Sequence, residues 1–502
     1  LLTLLRHETQ ALIDENPRLL AAAEPGGQSE WDREQQWFQF VNTLSGRVMI
    51  HFGNHLLDHL SGANVFNLFH TLGSTSGLAS LLAPYFVAFS QFSNGRDLGT
   101  QVARTFVPAD PNSSAQAADT RVAHFTDTFH EVNGVALTLQ QQVRLAVKNG
   151  YRYTLVTCDD QDRPPRKGVQ HFQPISTYCL PEYEQQKIFY PPLLEMLDYC
   201  HRQDFTHIHS ATPGPIGLAA LVTARLLQLP ISGTYHTAIP QYVEILTGSA
   251  FMAELAWKFV LWYYDQMDVI YAPSQSTKDE LVAKGLAADK IQVYPRGIDT
   301  TRFHPRNRNG FYKKWKIDEK ATKLLYVGRV SKEKNLHLLL DAYRQLAATG
   351  ARTLLVVVGD GPYLEEMRRA ASDLPCLFTK RLEGDNLAAV YASSDIFVFP
   401  STTDTFGNVV LEAQASGLPA IVTDQGGPCE NIVNGKTGLI VKGECRKALF
   451  KAMETLVGNP ERRAAMGRAA HAAMADRSFE VAFDKTWNLF ETVVPKKQAM
   501  AR

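Results

Sequence analysis

Asp404 and Glu412 stand eight residues apart in the segment STTDTFGNVVLEAQASGLPAIVTDQGG, residues 401–427. The preceding run DIFVFP reads as a strand ending at Pro400, and a polar loop then leads into a helix that starts near Asn408. A helix start leaves free backbone N–H groups and a partial positive charge, which suits a phosphate. Gly407, at the same place, lets a ligand approach the backbone closely. Asp404 precedes the helix and Glu412 lies about a turn inside it, so both can face one ligand at different depths. The plain alternative makes Asp404 a helix cap and Glu412 a solvated acid. Glu412 is set between Leu411 and Ala413 in a largely apolar helix, however, where an idle charge is costly to desolvate. We read both acids as ligand-facing.

A second cluster is YVGRVSKEKN, residues 326–335. A strand ends in Gly328 and is followed by Arg329 and, five residues on, Lys334. Unit charges ~4 Å apart attract by about 1 kcal/mol in water and about 4 kcal/mol at an effective dielectric near 20. Two cations at a strand's carboxyl end therefore form an effective clamp for a diphosphate leaving group in a closed site. Lys332 and Glu333 read as a solvated helix face. VVVGDGPYLEEM resembles a dinucleotide fingerprint but carries Leu364 where the third glycine belongs, so it reads as a structural strand–helix turn. No Walker A, H-E-x-x-H or G-x-S-x-G motif occurs, which removes P-loop phosphoryl transfer, common metalloproteases and typical serine hydrolases. Earlier in the chain, Gly134 opens a helix in HEVNGVALTL, and His236 follows a strand in ISGTYHTAIPQY. A lone histidine is usually structural; the strand-end position keeps a catalytic role open beside that reading.

The elements that must position these residues alternate between short strands and helices. RVAHFTDTF, YTLVTC, THIHS and DVIYAP are strand candidates in a first series, and KLLYVG, RTLLVVVG, DIFVFP, LPAIVT and TGLIV in a second. Such alternation predicts two doubly wound α/β domains with parallel sheets, whose ligands sit outside the carboxyl ends of the strands. The length of 502 residues calls for at least two domains, and 45% hydrophobic with 20% charged residues describes a globular enzyme-sized protein. With 51 Lys+Arg against 51 Asp+Glu, no global field draws the chain to nucleic acid. Six cysteines without a C-x-x-C read as reduced thiols. Residues 1–120 form a helical N-terminal region and linker, with no charged residue from His59 to Gly95 and a polar linker over 107–120. The further boundaries expected are 121–300 and 321–475 for the two domains, 301–320 for a basic connection, and 476–494 for a terminal helix.

Taken together, these segments resemble the retaining glycosyltransferases of family 4, which have the GT-B architecture of two Rossmann-like domains facing a cleft. The resemblance covers Arg121 to Val494, about three-quarters of the chain, and rests on YVGRVSKEKNL, VVVGDGP, STTDTFGNVVLEAQASGLPAIV, DTFHEVNGVALTL and SGTYHT in that family's pattern. It is nearest to the branch of mannosyltransferases and glycolipid-forming enzymes. It implies an N-terminal acceptor domain, a C-terminal nucleotide-sugar donor domain, and a terminal helix crossing back to the first. By the same resemblance, Arg329 and Lys334 hold the donor diphosphate, with Gly328 at that strand end. The backbone of Asn408 and Val409 meets the phosphates beside Gly407, and Glu412 bonds the nucleotide ribose. Asp404 takes the first acid of the E-x7-E motif and holds a sugar hydroxyl; being one methylene shorter than the usual Glu, it puts in question which hydroxyl is reached. Gly134 leaves room for the donor, and His236 lies near the transferred sugar, so that His236, Arg329 and Lys334 are the expected catalytic residues.

The implied reaction moves a hexose from UDP- or GDP-hexose to a lipid or glycan hydroxyl, with front-face attack and no cofactor or metal. Alternatives are a GT-B epimerase or phosphorylase, and a non-catalytic nucleotide-sugar sensor or membrane scaffold. A cytoplasmic protein with peripheral contact at the inner membrane face is the expected setting. The uncharged N-terminal run and the basic residues Arg302, Arg306, Arg308, Lys313 and Lys314 are candidate contacts, against a solvated-linker reading of the basic run. Residues 1–120 loosely resemble the helical connector of longer fusions in which a PHP-type phosphoesterase domain precedes the glycosyltransferase.

Overall fold

Runs of apolar and β-branched residues make the strands, and Gly328 and Gly359 end two of them. Their burial is that of parallel sheets covered on both faces: TLLVVV, residues 353–358, is buried at every position. The computed structural model describes residues 2–15, 30–61, 82–91, 120–131, 134–180, 183–294, 296–315 and 317–500. Strands of the first series are β1 (Val122–Phe125), β2 (Tyr153–Cys158), β3 (Val169–Phe172), β4 (Ser176–Leu180), β5 (Tyr183–Tyr190), β6 (His207–Ser210), β7 (Ile231–Thr234), β8 (Val269–Ala272) and β9 (Ile291–Val293). The second series comprises β10 (Thr322–Val327), β11 (Thr353–Val358), β12 (Cys376–Lys380), β13 (Ile396–Phe399), β14 (Ala420–Thr423) and β15 (Gly438–Val441). Two parallel sheets, of seven and six strands, carry the expected α/β fold.

The chain divides into two compact units, one of Leu1–Val132, Ala146–Gly233 and Phe490–Arg502, the other of Asn133–Leu145 and Thr234–Leu489. In the first unit the parallel strands run in the order β3-β2-β1-β6-β7, and β4 and β5 form a separate antiparallel pair. Its helices Leu2–Glu15 and Glu30–Ser61 meet through Leu12, Leu44 and Val48. Residues 82–91 are helical as well, so the expected helical N-terminal region is present. Most of the uncharged run His59–Gly95, and all of the 107–120 linker except Thr120, lie outside the described residues. Among the described residues no helix is long and apolar enough to cross a membrane. The ring of Phe490, on the final helix Phe479–Met500, lies 5.4 and 5.2 Å from those of His207 and His209.

In the second unit, β8 pairs with β9, and the six-stranded sheet runs β12-β11-β10-β13-β14-β15. The order reverses direction between β10 and β13, the topological switch point at which such sheets bind ligands. The basic connection after β9 is anchored by its aromatics. Phe303, Phe311 and Tyr312 join the core of the six-stranded sheet, and the Tyr312 hydroxyl meets Ser394 Oγ at 2.7 Å, while Arg302, Arg306, Arg308 and Lys313 point outward. All six cysteines are free.

The GDG turn after β11 proves to be a buttress for the loop after β10. Val330 N–H donates to Asp360 O at 2.9 Å, and Tyr363 N–H donates to Val330 O at 3.0 Å. A Cβ added at Gly359 would lie 1.9 Å from the Gly328 carbonyl oxygen, at a φ of +146° that side-chain-bearing residues rarely adopt. Gly359→Ala is therefore expected to cost about 3 kcal/mol or more, read as a fall in the urea midpoint at unchanged m; a loss under 1 kcal/mol would show that the loop yields.

Candidate functional site

The loop after β13 is shaped by glycines in the neighbouring loop after β14. Gly427 N–H donates to Asp404 O at 2.9 Å, and a Cβ at Gly427 would lie 2.0 Å from the Thr405 oxygen. Thr423 Oγ1 donates to Ser401 O at 2.7 Å, and Asn431 Nδ2 donates to Phe406 O at 2.8 Å. Gly407 then turns the chain at a φ of +79° into the helix Asn408–Ala415. On the other side of the switch point, β10 ends and Gly328 and Arg329 follow. Gly328 packs against its own strand: a Cβ there would stand 2.9 Å from the Tyr326 hydroxyl, which donates to Arg329 O at 2.8 Å. Asn335, at a φ of +55°, donates its Nδ2 to Pro400 O and Thr402 Oγ1 at 3.3 and 3.2 Å, fixing one loop to the other.

Across this join, Lys334 Nζ donates to Asp404 Oδ2 at 2.8 Å. Lys334 is buried and Asp404 half-buried. Burial opposes the ammonium charge, and Asp404, Tyr242 and Glu333 together more than offset it, so the lysine pKa is raised. Glu412 lies deeper along the helix. The Tyr391 hydroxyl donates to its Oε2 at 2.8 Å. Burial pushes the Glu412 carboxyl up to about 7, although the Tyr391 hydrogen bond and the Arg302 charge pull it down. Tyr391 also reaches the Val409 carbonyl at 3.4 Å, the first turn of the same helix.

Gly134 is the first residue of the helix Gly134–Asn149, and a Cβ placed on it would lie 3.0 Å from Asn408 Nδ2. The start of one helix thus lies against the Asn408 side chain at the start of another. A helix start carries free backbone N–H groups and a partial positive charge. Beside them Arg296 donates Nε to the Tyr294 hydroxyl at 2.8 Å and Nη1 to Asn408 Oδ1 at 3.5 Å, and its Nη2 lies 2.6 Å from His236 Nδ1. Its guanidinium also rests over the Tyr294 and Phe406 rings, 5.5 and 5.2 Å from their centroids. Arginine has no acceptor, so His236 Nδ1 accepts and the ring proton belongs on Nε2. The His236 carbonyl in turn accepts from Thr405 Oγ1 at 3.0 Å, which ties the histidine to the loop of Asp404.

The first unit shows what an occupied helix start looks like. Asp127, after β1, accepts from Thr212 Oγ1 at 2.6 Å and from Ile216 N–H at 3.0 Å at the head of the helix Pro215–Leu226. A Cβ on Gly214 would strike that carboxylate at 2.5 Å. The chain supplies its own carboxyl group there, and among the described residues none is hydrogen-bonded at the helix starts of Gly134 or Asn408.

The structure therefore joins Lys334 with Asp404, and joins Gly134, Asn408 and His236 through Arg296. Glu412 keeps a separate partner, Tyr391. Arg329 is exposed and makes no ion pair among the described residues. Arg296 and Tyr391 escaped the reading of the sequence. Arg296 follows the end of β9 by three residues, and the same strand-end rule that selected His236 would have found it. Among the described residues no group of three or more His, Cys, Asp or Glu could hold a metal ion.

Two family models match the chain: Glycosyltransferase Family 4 over residues 132–302 and Glycosyl transferases group 1 over residues 307–473. A GDP-mannose-dependent alpha-mannosyltransferase of Mycobacterium tuberculosis is 31% identical over 76% of this chain and 99% of its own length. Alpha-monoglucosyldiacylglycerol synthase of Streptococcus pneumoniae is 28% identical over 68% of this chain and 79% of its own. Among solved structures, Anabaena HepE in complex with UDP and glucose superposes with a TM-score of 0.60 at 16% identity, over 74% of this chain and 100% of that one. At that identity the likeness is one of fold, and the fold is GT-B.

Proposed function

The chain belongs to the family 4 glycosyltransferases and takes its sugar from a nucleotide donor, and from that premise we propose that it is a retaining hexosyltransferase acting on the hydroxyl of a lipid-borne acceptor. The observation that carries the reading is the contact of the helix start at Gly134 with Asn408, at the start of another helix, beside Arg296, a positive corner suited to a diphosphate. The amides of Asn408 and Val409 receive the phosphates there, Gly407 allows the close approach, and Gly134, by lacking a side chain, keeps the space beside Asn408 from being filled. Lys334 supplies buried positive charge, and Arg329, exposed at the end of β10, adds a second cation when donor is bound. Asp404 holds a sugar hydroxyl through Oδ1, since Oδ2 is engaged by Lys334. Glu412 takes the ribose hydroxyls.

In the transfer step the acceptor hydroxyl oxygen bonds to the anomeric carbon on the face from which the diphosphate departs. The anomeric carbon–oxygen bond breaks, and the acceptor proton passes to the departing phosphate oxygen. The protein supplies position and charge stabilisation, with the His236 Nε2–H donating toward the sugar. The M. tuberculosis relative is named for GDP-mannose and the S. pneumoniae relative for a diacylglycerol product, which supports a GDP- or UDP-hexose donor and a glycerolipid acceptor met at a membrane surface. The deciding experiment offers labelled UDP-, GDP- and ADP-hexoses with diacylglycerol and follows label into the organic phase, with the anomeric configuration of the product read by NMR. An inverted product would sink the retaining step; no label and no thermal stabilisation by any donor would sink the reading as a whole.

The raised Glu412 carboxyl sets a pH dependence. Ribose hydroxyls donate to the ionised carboxylate, so donor affinity is expected to weaken by about tenfold per pH unit below about 7 and to level off above it. Glu412→Gln should flatten the profile, and Tyr391→Phe, which removes a hydrogen bond that lowers the pKa, should move the inflection upward. A wild-type profile without an inflection between pH 6 and about 8 would remove Glu412 from the donor site. The stability linkage has the same origin with the opposite sense: the folded state holds the extra proton, so stability falls as pH rises from the ordinary Glu range to about 7.

A further inference from the structure

The helices Ala250–Asp265 and Pro460–Ala473 are capped from their own first turns, Ser249 Oγ accepting from Met252 N–H at 3.4 Å and Asn459 Oδ1 from Arg462 N–H at 2.9 Å. The nine-residue helix Gln275–Ala283 has such a cap in Ser274, whose Oγ accepts from Thr277 N–H at 3.2 Å. It also has a second one. Glu430, 155 residues beyond Gln275, accepts from Gln275 N–H at 2.7 Å through Oε2 and from Ser276 N–H at 2.6 Å through Oε1. Glu430 and Gln275 are exposed, so water would satisfy the same amides. Helix stability alone does not call for the contact. What it fastens is the loop of Asp404. Buried Ser274 donates its hydroxyl to Thr405 O at 2.7 Å, and Thr277 Oγ1 reaches that carbonyl at 3.4 Å. Next to Glu430, Asn431 holds Phe406 O, and Arg477 Nη1 donates to Asn431 Oδ1 at 2.8 Å. Two consecutive carbonyls are thus held immediately before Gly407 and the amides of Asn408 and Val409, while Thr405 Oγ1 holds the carbonyl of His236.

We propose that Glu430 and Ser274 are positioning residues that form a latch on the donor, an inference that rests on the transfer reaction proposed above. Glu430 fastens the head of the helix Gln275–Ala283, Ser274 carries that hold to Thr405, and Thr405 sets His236 against the amides of Asn408 and Val409. In that reaction the amides grip the phosphates and His236 Nε2–H meets the sugar. The spacing between the two grips therefore fixes where the anomeric carbon stands. Two nucleophiles compete for that carbon. When water attacks, its oxygen bonds to the anomeric carbon, the bond to the diphosphate oxygen breaks, and a water proton passes to the departing phosphate, giving free hexose. Water is small and approaches from many directions, so it tolerates a displaced carbon. The acceptor hydroxyl is tethered to a lipid and does not; a misplacement of about 1 Å costs an oriented reaction on the order of 100-fold. The latch thus governs the ratio of transfer to hydrolysis more than it governs folding or donor affinity.

The test measures that ratio in the full chain with labelled UDP- and GDP-hexose and detergent-dispersed diacylglycerol, as label in the organic phase against free labelled hexose in water. Glu430→Gln keeps the side chain's length but accepts through one oxygen only. This variant and Ser274→Ala should each lower transfer by about tenfold or more, with hydrolysis within about threefold of wild type. The ratio does not depend on how much of the enzyme is folded, so it reports position and not stability. Combining the two changes should cost little beyond the worse single one, because both act on the Thr405 carbonyl. Asn459→Ala removes a helix cap of the same kind elsewhere; it should lower Tm and leave the ratio alone. A wild-type ratio in both variants, an equal shift in Asn459→Ala, or a double variant as poor as the product of the singles would each overturn the latch and leave the transferase reading standing. A wild type that hydrolyses donor but transfers no label would remove the lipid-acceptor reading and the latch with it.

Discussion

Lys334→Ala is expected to lower kcat/KM by about three orders of magnitude, roughly 4 kcal/mol of transition-state stabilisation. The side chain is buried at the β10/β13 switch point, where water screens its charge poorly, and in the proposed reaction it stabilises the negative charge that gathers as the diphosphate departs. Its second effect passes through Asp404. Without the ammonium 2.8 Å away, that half-buried carboxylate becomes an uncompensated negative charge beside a dianionic leaving group. The two effects separate in a cycle. Asp404→Asn alone removes a sugar contact and should cost about tenfold to 100-fold, whereas Lys334→Ala/Asp404→Asn should regain about tenfold over Lys334→Ala by removing the repulsion. Because the charge forms in the transition state, the loss should fall mainly on kcat, with donor KM changing less. A double variant as poor as the product of the singles would show that Asp404 and Lys334 act independently. Retention of kcat/KM within about threefold in Lys334→Ala would remove the clamp altogether.

Much of this arrangement was legible in the sequence because it is local. Strands such as TLLVVV are buried on both faces and announce themselves as unbroken apolar runs, and glycine ends them where the chain must turn. Lys334 and Asp404 were legible as strand-end residues because in a parallel sheet every carboxyl end points to the same edge. Their direct ion pair was not, since it depends on how the loops after β10 and β13 are held by Asn335 and by the glycines at 426 and 427. β12 was missed for a related reason: CLFTK is an edge strand with no residue fully buried, so its apolar run is short and broken. The basic connection read as a linker by its charges, while Phe303, Phe311 and Tyr312 were already present to anchor it. Arg296 hid just before that segment. Its partners Asn408 and His236 lie 112 and 60 residues away, and only the folded chain brings them together.

Arg296→Ala should reduce kcat by about 100-fold with donor KM changing less, which makes Arg296 a positioning residue with a signature of its own. Through Nη2 it holds His236 with Nδ1 accepting, and so with the proton on Nε2 directed as a donor. Through Nη1 it reaches Asn408, whose side chain abuts Gly134 where the two helix starts meet. Loss of the guanidinium removes one cation from that corner and frees the imidazole to change tautomer. His236→Gln can place an amide N–H close to the position of Nε2–H and should lose about tenfold only, while adding it to Arg296→Ala should cost little more. If Arg296 served packing alone, through its stacking on Tyr294 and Phe406, then Arg296→Met would restore thermal stability and activity together.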